Sequence, residues 1–195
     1  MTKHQRQNIR IISGKWRGRK INFPENEEIR PTGNRIKETL FNWLDSDLPN
    51  SKCLDLFAGS GSLGIEALSR GAKSVTFVEQ NKDISAYITK TLLQFDNKPS
   101  KIIVINNDAS RWLEICNDQF DIIFFDPPFQ SKEFYSLCGK ISQFSIAKKY
   151  IYLESDKEIE KSLLPLEWKI IKKKKAGSVS FALCSAQTNS ILDWL

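Results

Sequence analysis

Apolar residues recur along this chain as short continuous runs separated by longer stretches with helical spacing. CLDLF (Cys53 to Phe57), SVTFV (Ser74 to Val78), IIVI (Ile102 to Ile105), FDIIFF (Phe120 to Phe125) and YIYL (Tyr150 to Leu153) are the short runs. Runs that are nearly all apolar predict strands buried on both faces, as in a parallel sheet. Between them, helices are expected from Leu63 through Leu68, over Ile84–Phe95, over Arg111–Ile115, around Phe134–Ile141 and near Glu158–Leu163. This alternation predicts an α/β fold with a doubly wound, largely parallel sheet. FDIIFF is the most apolar strand and is expected at its centre. Trp168–Lys172 and Val179–Leu183 flank Ala176-Gly177-Ser178 as a closing hairpin. The run Lys172 to Lys175 reads as an exposed strand end.

The N-terminal part has a different rhythm. Over residues 8–23, Ile9, Ile11, Ile21 and Phe23 alternate with polar neighbours, and Gly14 and Gly18 bracket a turn, which predicts a β-hairpin. Glu25–Pro31 reads as a linker. Ile36, Leu40, Trp43 and Leu44 then form one apolar face of a helix over Arg35–Leu44. The expected organisation is a basic hairpin and linker (1–30), an α/β domain (31–184) and a tail (185–195) with no assigned role.

Charge sharpens that division. Residues 1–24 hold seven Lys and Arg and no Asp or Glu, so the net charge of +6 is local to the N-terminus. A local basic patch is the footprint of a phosphate backbone, or else a solvated basic tail. Arg10, Lys15, Arg17, Arg19 and Lys20 are the candidate RNA-binding cations. Trp16 is either an indole that stacks on a base or a residue packed on the hairpin.

Composition narrows the chemistry. At 195 residues and 41% hydrophobic, the chain suits one α/β domain with a small extension. No apolar run approaches a membrane span, and the polar N-terminus is no signal peptide. Four scattered cysteines without C-x-x-C suggest a reduced, cytoplasmic protein with core thiols. The single histidine, His4, argues against Ser-His-Asp, Cys-His and histidine-zinc sites, and no metal is expected. Carboxylates, backbone groups and a bound cofactor must do the work.

The stretch KCLDLFAGSGSLG (Lys52 to Gly64) gathers these elements into a site. Gly59, Gly61 and Gly64 fit G-x-G-x-x-G between a strand and a helix, where unpaired amides face a polar or anionic ligand. Asp55 lies inside an apolar strand, where a carboxylate is costly unless it has partners. It could accept bonds from the loop amides or face a cationic ligand group. Asp55, Glu79, Asp108 and Asp126 fall within or at the carboxyl ends of successive strands, the edge where ligands bind. Asp108 could equally cap the helix that follows it. Glu79, 20 residues after Gly59, is spaced to take two ribose hydroxyls. Nicotinamide dinucleotide and S-adenosylmethionine both satisfy this pattern.

Asp126-Pro127-Pro128-Phe129 separates the two. The prolines fix the backbone and remove two donors. A carboxylate beside a carbonyl then forms a double acceptor for an –NH₂ group, and Phe129 offers a face for a planar base. Hydride transfer has no use for this device, whereas methylation of an exocyclic amine does.

Asp55-Leu-Phe-Ala-Gly-Ser-Gly with Asp126-Pro-Pro-Phe resembles the class I S-adenosylmethionine-dependent methyltransferases that act on exocyclic amines. With RIISGKWRGRKINFP, RPTGNRIKETLFNWL, CLDLFAGSGSLGIEALSRGA and KKKKAGSVSFALC, the chain resembles the bacterial 16S ribosomal RNA guanine-N2 methyltransferase family from about Arg10 to Cys184. The resemblance implies a Rossmann-like, seven-stranded methyltransferase fold, an N-terminal hairpin for RNA, and methylation of one guanine of 16S rRNA in the small ribosomal subunit or its assembly intermediate. It implies that Asp55, Phe57, Ala58, Gly59, Ser60 and Gly61 hold the methionine moiety of S-adenosyl-L-methionine. Glu79 would take the ribose, Asp108 and Ala109 would reach the adenine, and Asp126, Pro127, Pro128 and Phe129 would hold the guanine. Asn34 departs from the family pattern, where Asp is usual. Rival readings are an adenine-N6 or DNA methyltransferase, a nicotinamide-dependent oxidoreductase, and a non-catalytic RNA-binding assembly factor. A monomer is expected, because no exposed apolar interface stands out.

Overall fold

The computed structural model of this protein describes residues 7–23, 33–95, 102–128 and 133–186. The expected linker, Phe129 and tail residues 187–195 lie outside them. The N-terminal segment pairs β1 (Gln7–Arg10) with β2 (Lys20–Phe23), antiparallel, with Ile9 opposite Ile21. There follow α1 (Asn34–Trp43), β3 (Lys52–Asp55), α2 (Ser62–Ser69), β4 (Ser74–Glu79), α3 (Lys82–Phe95) and β5 (Ile102–Asn106). The chain continues through α4 (Ala109–Ile115), β6 (Phe120–Phe125), α5 (Phe134–Gln143), β7 (Ala147–Ser155), β8 (Lys169–Ala176) and β9 (Val179–Ser185).

β3 to β9 form one seven-stranded sheet in the order β5-β4-β3-β6-β7-β9-β8. Strands β5 to β7 of that order run parallel, and β9 is antiparallel to both of its neighbours. β6 is therefore central, as its composition demands. Its alternate residues serve two layers. Ile122 and Phe124 face a core with residues of α1, α2 and α3, while Ile123 and Phe125 face a core with residues of α4 and α5. From β3 the chain builds outward to β4 and β5, then returns to build β6 and β7 on the other side. The order reverses between β3 and β6, which makes their carboxyl ends the place for a ligand. Cys53, Cys138 and Cys184 are buried free thiols, and burial pushes Cys53 and Cys184 up to about 12.

One expected element differs. Glu158–Leu163 is not a helix, and only Lys161–Leu163 forms a single 3₁₀ turn. Its anchors Ile159 and Leu164 are five residues apart, which is no helical stripe. The lysine run lies within β8, a strand at the sheet's edge.

The hairpin is docked on the α/β layer. Gly14 lies against the Ser69 carbonyl so closely that a Cβ would come within 1.9 Å of it, with φ at +79°. The Ser69 carbonyl accepts from Lys15 N, and Ser69 Oγ accepts from Trp16 N and donates to the Ser13 carbonyl. Glu66, 0% exposed in α2, accepts Ile12 N (2.8 Å), Ser13 N (2.9 Å) and Arg70 Nε (2.8 Å). Lys37 of α1 is buried alongside and donates to the Arg10 carbonyl. Burial lowers its pKa, Glu66 raises it and Arg70 lowers it. Trp16 is thereby corrected as a base-stacking residue. Its indole is 4% exposed and packs on Phe95 at 5.4 Å between centroids, because the hairpin's apolar face is covered by α3.

Glu66→Ala would leave two hairpin amides and Arg70 without their acceptor. A loss of about 3 kcal/mol is expected, read as a lower urea midpoint.

Candidate active site

The site starts at the end of β3. Asp55 is 2% exposed, and its Oδ2 accepts the Gly64 amide at 2.9 Å. Of the two partners open to it, the backbone amide is therefore present, and it comes from α2 beyond the glycine loop. Gly64 is needed for a second reason: a Cβ there would meet the Phe77 ring at 2.3 Å, so its absence lets α2 lie against β4. Between these points the loop is tied to both neighbours. Leu56 N donates to the Phe124 carbonyl of β6, and Ala58 N to the Val78 carbonyl of β4. Gly59 and Gly61 take φ of +50° and +73°, the left-handed region that glycine enters at least cost. Phe57 is half-buried, edge-on to Phe125, and Ala58 and Ser60 of the loop are buried.

Glu79 closes the loop from the next strand. Its Oε2 accepts Gly59 N and its Oε1 accepts Asn81 N, both at 2.8 Å. The 20-residue spacing thus corresponds to a carboxylate in direct contact with the glycine loop. Asn106 Nδ2 donates to the carbonyls of Glu79 and Gln80, which fastens the end of β5 to that of β4. Asp108 caps α4, its Oδ1 accepting Arg111 N at 3.0 Å, and Ala109 is buried behind it.

β6 ends at Asp126, half-buried, followed by buried Pro127 and exposed Pro128. The structure thus brings Asp55, Phe57 to Gly61, Glu79, Asp108, Ala109 and Asp126 to Pro128 to one edge, on the adjacent strands β5, β4, β3 and β6. Arg10, Lys15, Arg17, Arg19 and Lys20 are exposed, but the turn holding three of them sits at the far end of α2. That is about 12 Å from the glycine loop, the length of eight helical residues. Asn34 is exposed as the first residue of α1.

The sequence reading missed a buried pair beside Asp126. The Tyr152 hydroxyl donates to Glu154 Oε2 at 2.6 Å. Burial, then Glu154, then Asp126 hold that hydroxyl well above the usual tyrosine range. Tyr152 looked like any apolar strand residue; the signal lay in a Glu two places on, at the carboxyl end of a central strand.

Burial pushes the Asp55 carboxyl up to about 7, the Gly64 bond acts against this, and Glu79 pushes it further up. The folded chain therefore keeps this proton to near pH 7, whereas the unfolded chain loses it near pH 4. Its contribution to stability falls as pH rises between those values, by up to about 1.4 kcal/mol per unit. Asp55→Asn keeps an acceptor for Gly64 and has no charge to bury. Its stability relative to the unsubstituted protein is expected to rise from pH 5 to pH 7, as measured by urea midpoints of the ligand-free proteins.

Three comparisons bear on the site. The family described as conserved hypothetical protein 95 matches residues 9–185. Ribosomal RNA small subunit methyltransferase D of Haemophilus influenzae is 41% identical over 188 residues, covering 93% of this chain and 96% of that one. The solved structure of yhhF from Escherichia coli superposes with a TM-score of 0.83 at 35% identity, covering 94% of this chain and all of that one.

Proposed function

The chain belongs to the conserved hypothetical protein 95 family, and on that premise we propose that it is an S-adenosylmethionine-dependent rRNA methyltransferase acting on the exocyclic N2 amine of one guanine in the 16S rRNA of the small ribosomal subunit. The relative named ribosomal RNA small subunit methyltransferase D supports the substrate class. The observation that carries the reaction is the position of Asp126-Pro127-Pro128, at the end of the central strand beside the glycine loop of β3. A methyl donor in that loop and an amine held by Asp126 would meet across two adjacent strands.

The residues fit the cofactor. Two left-handed glycines leave room for a ligand at the backbone. Each Glu79 oxygen accepts one amide and keeps lone-pair directions for ribose hydroxyls. Asp55 at the base of the loop suits a cationic amino group, and Asp108 and Ala109 suit the adenine. S-adenosylmethionine supplies an electrophilic methyl group; the protein's task is to position the amine and raise its electron density. The lone pair of a guanine amine is delocalised into the ring. Asp126 and the adjoining proline carbonyl accept its two N–H bonds, push electron density onto nitrogen and give the departing proton a place to go. The target base is flipped out or already unpaired, stacked on Phe129. The exposed cations of the hairpin hold the RNA backbone.

Transfer of labelled methyl to small subunits lacking the modification, followed by nucleoside analysis, tests this. N2-methylguanosine is the expected product; N6-methyladenosine would redirect the specificity, and bound cofactor with no label would leave a binding protein. Asp126→Ala is expected to lower transfer at least a hundredfold while S-adenosylhomocysteine binding, by calorimetry, stays within about twofold. Neutralising Arg17 and Arg19 together is expected to weaken RNA binding and to flatten its log–log salt slope by about one unit for each phosphate no longer neutralised.

A further inference from the structure

The run Lys172 to Lys175 has no part in the reading above, and the register of the sheet fixes where it lies. Phe125 of β6 is opposite Leu153 of β7, Leu153 is opposite Ala182 of β9, and Ala182 is opposite Lys173 of β8. β6, β7 and β8 point the same way, since β9 is antiparallel to both of its neighbours. One residue further along, Asp126 and Lys174 therefore share a row, three strand spacings or about 14 Å apart. The lysines stand at the carboxyl edge of the sheet, the edge that holds the amine site.

Strand alternation splits the run in two. Lys173 is on the face covered by α4 and α5, and its ammonium donates to Glu158 Oε1 and to the Ile159 carbonyl, both at 2.9 Å. Lys175 acts electrostatically on the same Glu158 carboxylate. Lys172 is opposite Leu183 and Lys174 opposite Phe181, on the face that carries α1, α2, α3 and the hairpin. Both are exposed, and among the described residues no carboxylate pairs with them. Trp43 of α1 stacks on Phe181 at 5.4 Å and is only half-buried, so part of an indole lies beside Lys174. Cations next to an aromatic surface are how a nucleic-acid strand is held without sequence reading.

We propose that Lys172 and Lys174 bind backbone phosphates of the rRNA segment flanking the target guanine, on the opposite side of the amine site from the hairpin. The hairpin docks on α2 and α3, which pack on β3, β4 and β5, whereas β8 closes the other end of the sheet. β6, with Asp126, lies between the two basic surfaces. One RNA held at both would raise the occupancy of each, because the second contact is intramolecular once the first is made. The inference rests on the rRNA methyltransferase reading above and adds a second surface for its substrate.

The test compares full-length Lys172→Gln/Lys174→Gln with Lys148→Gln/Lys149→Gln, which removes the same charge at the exposed amino end of β7. Binding to small subunits lacking the modification is measured over a salt series, with hydroxyl-radical protection of the rRNA backbone read on the same complexes. The β8 variant is expected to bind roughly tenfold more weakly at about 0.1 M salt and to lose about one and a half units of log–log salt slope. It should also lose protection at nucleotides next to the target, while the β7 variant changes none of these. Unchanged S-adenosylhomocysteine binding shows that both variants fold. Full affinity and slope in the β8 variant, or an equal loss in the β7 variant, overturns the proposal. Weaker binding with every rRNA protection retained also overturns it, and assigns the lysines to a protein of the particle. Labelling of guanine N2 by the unsubstituted enzyme alongside any of these results leaves the methyltransferase reading standing; no binding or labelling by that enzyme overturns the reading and this inference together.

Discussion

A single hydrogen bond, from the Gly64 amide to the buried Asp55 carboxylate, joins the end of β3 to the start of α2 across the glycine loop. It fixes where α2 begins, and hence where the loop amides point. The bond forms because Gly64 lets the helix settle onto Phe77 of β4, a contact that any side chain would prevent. Burying the carboxylate is costly, and the amide offsets only part of the cost. A proton held to near pH 7 is the residue of that imbalance. A cationic ligand group would relieve it, which ties the buried acid to the candidate cofactor loop.

α2 carries more than the loop. Its first turn takes part in the candidate cofactor site, and its later residues Glu66 and Ser69 receive the basic hairpin. Eight residues thus connect two surfaces of different chemistry. Glu66, Lys37 and Arg70 make that connection polar where a simpler fold would use apolar packing. Polar junctions are geometrically demanding, since each amide needs its acceptor at a definite distance and angle. The hairpin's cations are accordingly held in fixed register with the helix, although their turn stands well away from the loop.

The sheet was legible because parallel strands buried on both faces have no polar residues to hide, and their runs announce themselves. The acidic positions at the strand ends were legible for the same reason, as breaks in apolar runs. Residues whose polarity is satisfied inside the protein were not. Glu66 and Lys37 carry no sign of burial in the sequence, because nothing local says that another element will cover them. Trp16 could not be placed, since alternation in a hairpin shows which residues share a face but not what packs on that face. Asp108 carries a capping role that the sequence allowed alongside a ligand role, and the observed cap is compatible with both. Glu158–Leu163 misled because acidic and aliphatic residues mixed over six positions imitate a helix without its period.

One edge of the sheet has a consequence for the protein among its own copies. Among the described residues β8 is the last strand, and no described strand pairs with its outer side. Such an edge is a template on which another chain can add a strand. Lys172 to Lys175 line it and are exposed. A second copy approaching edge to edge would bring like charges to within strand spacing, about 4.8 Å. The lysine run therefore acts as a guard against intermolecular sheet growth, and because the guard is electrostatic, it is strongest in dilute salt and fades as ions screen it.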